Sequence, residues 1–158
     1  MKKKPELVTV SATQDDMAAI EQFDCLAPEN IFSISGDYVV AKLGDRVVGY
    51  AEYFDDVDEF LLLGVCVAEE YRGRGIAKKL FNECVNIGRN LGHAFMTSAL
   101  EELNDTDLAV MKGIGFTNRP EAIEGDDGVT RYYFDMIIGD PANYSEEYDL
   151  SEEPEETE

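Results

Sequence analysis

The chain is poor in the residues that build metal sites and disulfide frameworks. Its 158 residues include one histidine, His93, and three cysteines, Cys25, Cys66 and Cys84. There is no C-x-x-C pair, so neither a zinc site nor any other metal is expected. An odd cysteine count without paired spacing argues against a disulfide framework. It fits small buried thiols in a reducing compartment. Long apolar runs are also missing. The longest, Phe60 to Ala68, is broken by Gly64 and falls well short of the ~20 residues a spanning helix needs. The opening Met-Lys-Lys-Lys-Pro-Glu resembles the charged start of a signal peptide, but no apolar stretch follows it. The expectation is a soluble cytoplasmic protein that does not associate with membranes.

Positive charge is scarce. Thirteen Lys and Arg face 34 Asp and Glu, for a net charge of -21. Nine of the acids lie between Asp140 and Glu158, where there is no basic residue, so the remainder carries -12. Such a field repels nucleic acid and attracts cations and basic partners. Direct DNA or RNA binding is therefore not expected. The organisation expected is one domain, 1–139, followed by an acidic, disordered tail, 140–158.

What is present reads as alternating elements. Leu7 to Ser11 suits a strand, and Thr13 or Asp15 caps a helix running to about Cys25. Pro28 to Ser35 reads as irregular. Two strands, Tyr38 to Leu43 and Arg46 to Phe54, flank the Gly44-Asp45 turn. Phe60 to Ala68 reads as a central strand. Apolar residues at helical spacing predict a helix from Ile76 to Leu91, ended by Gly92. A strand, Ala94 to Leu100, precedes a helix capped by Asn104 or Asp105 and reaching about Lys112. After the Pro120 to Gly128 loop, Val129 to Ile138 is the last strand. The implied fold class is α+β, a mixed and mostly antiparallel sheet flanked by helices. His93, just past a helix end, is expected at a helix terminus or on the surface.

The turn Arg72-Gly73-Arg74-Gly75-Ile76-Ala77 follows a strand and opens a helix. A helix N-terminus offers unpaired N–H groups and a positive dipole end. Glycines at 73 and 75 allow close backbone approach, so successive N–H groups can wrap a pyrophosphate. Arg72, Arg74, Lys78 and Lys79 place four cations within eight residues of a chain that has few. A P-loop is excluded because no Ser or Thr follows Lys78 or Lys79, and the dinucleotide fingerprint lacks its third glycine.

These residues resemble the GNAT superfamily of N-acetyltransferases. Its signature [Gln/Arg]-x-x-Gly-x-[Gly/Ala] reads here as Arg72-x-x-Gly75-x-Ala77. Leu63-Gly64-Val65-Cys66-Val67 is similar to the family's splayed, bulged central strand. Asn104 and Gly115-Phe116 match parts of a downstream pattern. The resemblance implies acetyl transfer from acetyl-CoA to a primary amine. A cationic small molecule such as a polyamine or aminoglycoside, or a protein amino group, would serve as acceptor. It further implies that N–H groups around Val65, Cys66 and Val67 meet the pantetheine arm. Those of Arg72, Gly73, Arg74, Gly75, Ile76 and Ala77 would take the pyrophosphate, with Asn104 near the pantetheine end.

The family's usual tyrosine is replaced by Met111, and its usual base position falls near Leu61. Candidates for acid–base work are therefore Glu59, Glu52 and Tyr132, with Tyr53 and Tyr133 beside them. Two alternatives remain open at this point: a non-catalytic CoA-binding module and an acidic protein-binding inhibitor. Oligomeric state is also open, a homodimer included.

Overall fold

The computed structural model describes residues 6–23, 36–102 and 104–140. The acidic tail beyond Asp140, Cys25 and the irregular stretch before Gly36 lie outside the described residues. The elements in chain order are β1 (Leu7–Ser11), α1 (Gln14–Ile20), β2 (Asp37–Leu43), β3 (Arg46–Asp55) and β4 (Phe60–Val67). They continue with α2 (Ile76–Asn90), β5 (Phe95–Leu100), α3 (Asp105–Ile114), β6 (Thr117–Asn118), β7 (Ile123–Glu124) and β8 (Thr130–Ile137).

The strands form one mixed sheet in the order β1-β2-β3-β4-β5-β8-β6, with β7 pairing to β8. All pairings are antiparallel except β4 with β5. This is the expected α+β class. β6 and β7 are additions to the sequence reading, each two residues long. A two-residue strand leaves no alternation to read.

Alternation sorts β2 and β3 onto two faces. Val39, Ala41, Ala51 and Phe60 join Leu80 and Cys84 of α2 in the buried core. Gly49 lets the sheet approach α2: a Cβ there would lie 3.1 Å from Leu80 and 3.3 Å from Ile76. α1 packs on the opposite face. It starts from a capping box in which Thr13 and Asp16 satisfy each other's backbone N–H groups. Asp16, buried on α1, also pairs with Lys42 of β2 at 3.0 Å. α1 stops at Ile20, earlier than the periodicity through Phe23 implied.

Two expectations change. His93 is 5% exposed rather than a surface residue. Its Nε2 sits 2.6 Å from Asp55 Oδ1, and its ring stacks on Phe60 at 5.2 Å. Cys66 is disulfide-bonded, against the expectation of reduced thiols, whereas Cys84 is free and buried.

Candidate functional site

The site begins with three helix starts. Thr13 caps α1 and Asn104 caps α3, each through a side-chain oxygen. α2 has no side-chain cap. Its N-cap is Gly75, at φ 84°, and Gly73 stands at φ 79°. Both values lie in the left-handed region that L side chains avoid. Lys79 N donates to Gly75 O, so the N–H groups of Ile76, Ala77 and Lys78 precede the first helical bond and no side chain caps them. The Ile76 side chain is buried in the core while Ala77 is exposed, which anchors the turn from beneath and leaves its outer surface open.

The basic residues have distinct positions. Arg72 Nε donates to Val67 O at 2.8 Å and so ties the turn to the end of β4. Arg74 lies over the Tyr71 ring at 5.1 Å from its centroid. Arg46, at the start of β3, lies over the same ring at 5.4 Å and pairs with Glu70 at 2.9 Å. Arg46 was missed in the sequence because it is remote from the turn along the chain.

β4 and β5 part company next to this turn. They share one registered pair, Leu61 with Thr97, and Ser98 Oγ donates to Leu62 O at 3.1 Å. Beyond that point β4 keeps β3 as its partner. Ala68 N donates to Val48 O on β3. By alternation Cys66 N–H also faces β3, and Val65 and Val67 N–H face the opening. Cys66 thus differs from its two neighbours: its backbone belongs to the β3 ladder and its sulfur to a disulfide. The ladder slips between Glu52, opposite Gly64, and Tyr53, opposite Leu62, so Leu63 is the extra, bulged residue.

The acid–base candidates separate clearly. Glu59 is exposed in the turn between β3 and β4, six residues before Val65 and hence about 20 Å away along an extended strand. Glu52 is 8% exposed and sits across from Gly64 at the bulge. Gly36 N donates to Glu52 Oε2 at 3.0 Å. A Cβ built on Gly64 would meet no described residue within 4 Å, so among the described residues there is space beside the carboxylate where the strands splay. Tyr132 is half-buried against the core, on the face that α2 covers, while Tyr133 lies beneath Arg119 at 5.2 Å. Met111 packs against the same core as Tyr132. Asn104 is committed to its cap: Oδ1 accepts from Asp107 N at 2.8 Å and Nδ2 donates to Asp107 Oδ2 at 3.0 Å.

A second carboxylate near the strand junction is neutralised. Thr97 Oγ1 donates to Asp135 Oδ1 at 2.7 Å, and Arg119 grips both Asp135 oxygens at 2.6 and 2.8 Å. A bidentate guanidinium thus occupies both oxygens of that carboxylate. Burial pushes the Cys84 thiol up to about 12, with a further contribution from Glu83. That thiol stays protonated and is not a nucleophile.

The acetyltransferase (GNAT) family profile matches residues 9–116, which contain the turn, the splayed strand and Asn104. The chain belongs to the GNAT family. Solved structures share the fold at low identity. The ribosomal-protein-S18-alanine N-acetyltransferase of Escherichia coli is 16% identical with a TM-score of 0.62, over 91% of this chain and 99% of that one. The spermidine/spermine N-acetyltransferase of Vibrio cholerae, in complex with manganese ions, is 12% identical with a TM-score of 0.64, over 84% and 92%. A GNAT acetyltransferase of Elizabethkingia anophelis with acetyl-CoA bound is 16% identical with a TM-score of 0.57, over 83% and 97%. No curated protein sequence matches the chain. Among the described residues of this GNAT protein, no helix is long and apolar enough to cross a membrane and no cluster of metal-binding side chains occurs.

Proposed function

We propose that this GNAT protein transfers the acetyl group of acetyl-CoA to a primary amine, with Glu52 as the proton acceptor. The observation that carries the reading is the continuity of three features. The uncapped N-terminus of α2 adjoins the open edge of β4, and that edge runs back to a buried carboxylate at the bulge. A pyrophosphate fits the backbone of residues 72–77, with Arg74, Lys78 and Lys79 beside it. The Val65 and Val67 N–H groups suit the amide and thioester oxygens of a pantetheine arm. Acetyl-CoA supplies an activated acyl group. The chain supplies alignment, an N–H donor for the developing oxyanion, and a base.

An ammonium must lose a proton before it can attack. Glu52 stands where such a group would arrive through the space beside Gly64, and no described cation neutralises it. Glu59 is too distant for this role and Asp135 is engaged by Arg119. Tyr132 is the phenol offered as proton donor to the departing thiolate, because Met111 has no proton to give. The acidity of the chain favours a cationic acceptor such as a polyamine or an aminoglycoside, or an amino group on a basic protein. Weak affinity for nucleic acid belongs to the same reading.

The test is calorimetry with acetyl-CoA, followed by acetyl transfer to spermidine, an aminoglycoside, propylamine and a peptide with a free N-terminus. Absence of acetyl-CoA binding would sink the proposal. One observation, Met111 at the family's tyrosine position, favours a second reading as a CoA-binding module without chemistry. Binding without turnover of any of these amines would establish that one.

A further inference from the structure

Tyr53, Tyr71 and Tyr132 pack against the core on the sheet face that α2 covers. Tyr38, Tyr50 and Phe23 lie outside that core and meet one another instead. The Tyr38 and Tyr50 ring centroids are 5.7 Å apart at 57°, and those of Tyr50 and Phe23 are 5.7 Å apart at 58°. Phe23 lies just past α1, and all three rings are half-buried. Tilted contacts of this kind leave part of each π-face uncovered by its neighbour.

Strand register sets this row of rings beside Glu52. Tyr38 on β2 is directly across from Glu52, and Tyr50 precedes Glu52 by two residues on β3, on the same face. On β4, Gly64 stands across from Glu52, and Cys66, whose sulfur belongs to a disulfide, stands across from Tyr50. By alternation, Glu52 is the only carboxylate among the described residues that β2, β3 and β4 bring to this face. It is 8% exposed and accepts from the Gly36 N–H at 3.0 Å. Lys42, further along β2, is held by Asp16 of α1. Burial, and after it the charge of Glu52, push the Tyr38 phenol up to about 12 and the Tyr50 phenol above its ordinary value. Both rings are therefore uncharged at neutral pH.

We infer that Tyr38, Tyr50 and Phe23 seat the body of the acceptor, and that the acceptor is a single primary ammonium on an apolar framework of methylenes or a ring. This rests on the reading of Glu52 as proton acceptor. One buried negative charge matches one ammonium, and the space beside Gly64 admits it. Aromatic faces attract a cation and the C–H groups next to it. Beyond two phenol hydroxyls, the rings offer nothing to the many hydroxyls of an aminoglycoside. A hydroxyl that loses water without gaining a partner opposes binding. The second ammonium of a polyamine would find no further carboxylate on these strands. The overall acidity draws cations toward the protein, and the rings select among them by what lies behind the nitrogen.

The experiment measures acetyl transfer by the full chain to hexylamine, propylamine, spermidine and an aminoglycoside, with Phe23→Ala, Tyr50→Ala and Glu52→Gln beside it. Hexylamine differs from propylamine only in methylenes. Its kcat/KM is expected to exceed that of propylamine by roughly tenfold or more, and to exceed those of spermidine and the aminoglycoside. Phe23→Ala and Tyr50→Ala should each lower the hexylamine-to-propylamine ratio severalfold, through the KM for the amine. Calorimetry with acetyl-CoA reports that each variant is folded. If Tyr50→Ala does not bind acetyl-CoA, Phe23→Ala, just past the end of α1, carries the test. Equal kcat/KM for the two alkylamines, a preference for spermidine or the aminoglycoside, or a ratio unmoved in a folded variant, with Glu52→Gln inactive, overturns the inference and leaves the base in place. Full activity in Glu52→Gln, or no acetylation of any amine, removes the base and the inference together.

Discussion

Glu52 and Gly64 face each other across β3 and β4 at the last regular pair before the ladder slips around Leu63. A buried carboxylate thus looks across at a residue with no side chain, where the sheet opens. Filling that space should obstruct the acceptor without touching the cofactor turn. Gly64→Val is expected to lower kcat/KM for the amine on the order of 10²-fold, with acetyl-CoA affinity unchanged by calorimetry. Equal loss of acetyl-CoA binding would show that the space belongs to the pantetheine path instead.

The cofactor turn has a different vulnerability. Gly75 stands at φ 84° as the cap of α2, and a Cβ there would meet no described residue within 4 Å. Gly75→Ala therefore introduces backbone strain without a steric clash, at about 1–2 kcal/mol. Relieving it rotates the N–H groups offered to the pyrophosphate. Acetyl-CoA should bind about tenfold more weakly, measured by calorimetry, while circular dichroism is unchanged.

Asp16 provides an acid-dependent lock between α1 and the sheet. Burial raises its carboxyl pKa, but the Thr13 N–H and the Lys42 ammonium outweigh that, and the net effect is a pKa below the ordinary value of 3.8. A depressed folded value means that the group's stabilisation is fully present above 3.8 and is lost as pH falls through the lower folded value. Asp16→Asn should cost about 2 kcal/mol at neutral pH. It should also flatten the fall of the urea midpoint below pH 3.8. Parallel curves for the two proteins would refute this.

The seam between α2 and β4 is closed by Gly88. A Cβ there would lie 2.7 Å from the Phe60 ring and from Ile138, and both side chains are buried. Gly88→Ala should destabilise the protein by about 1–3 kcal/mol through overpacking, against the gain in helix propensity that alanine normally brings. A raised thermal midpoint would contradict the packing described here.

The contrast between Glu59 and Glu52 shows why the sequence reading stopped where it did. Both are carboxylates on neighbouring segments, Glu59 a candidate by its spacing from Leu61 and Glu52 by its place on the preceding strand. One is exposed in a turn and the other is buried at the bulge. Burial of a strand residue depends on what packs over its face, which alternation alone does not reveal. His93 illustrates the same limit. Its position after a helix-ending glycine pointed to a terminus or the surface; its N–H does close the end of α2 on Gly88 O, but Asp55 and Phe60, remote along the chain, bury it.

The turn at Arg72 to Ala77 was determined by the sequence itself, as were the order of the longer elements and a helix cap at Asn104 or Asp105. Each rests on residues within a few positions of one another: glycines that permit left-handed backbone, a helix start, a side chain reaching its own N–H neighbours. The parting of β4 from β5, the slip at Leu63, the arrival of Arg46 beside Tyr71 and the Gly36 N–H bond to Glu52 were decided only in the tertiary structure. These depend on cross-strand register between distant segments. A shift of one residue in register would turn Glu52 away from Gly64 while leaving every local signal in the sequence unchanged.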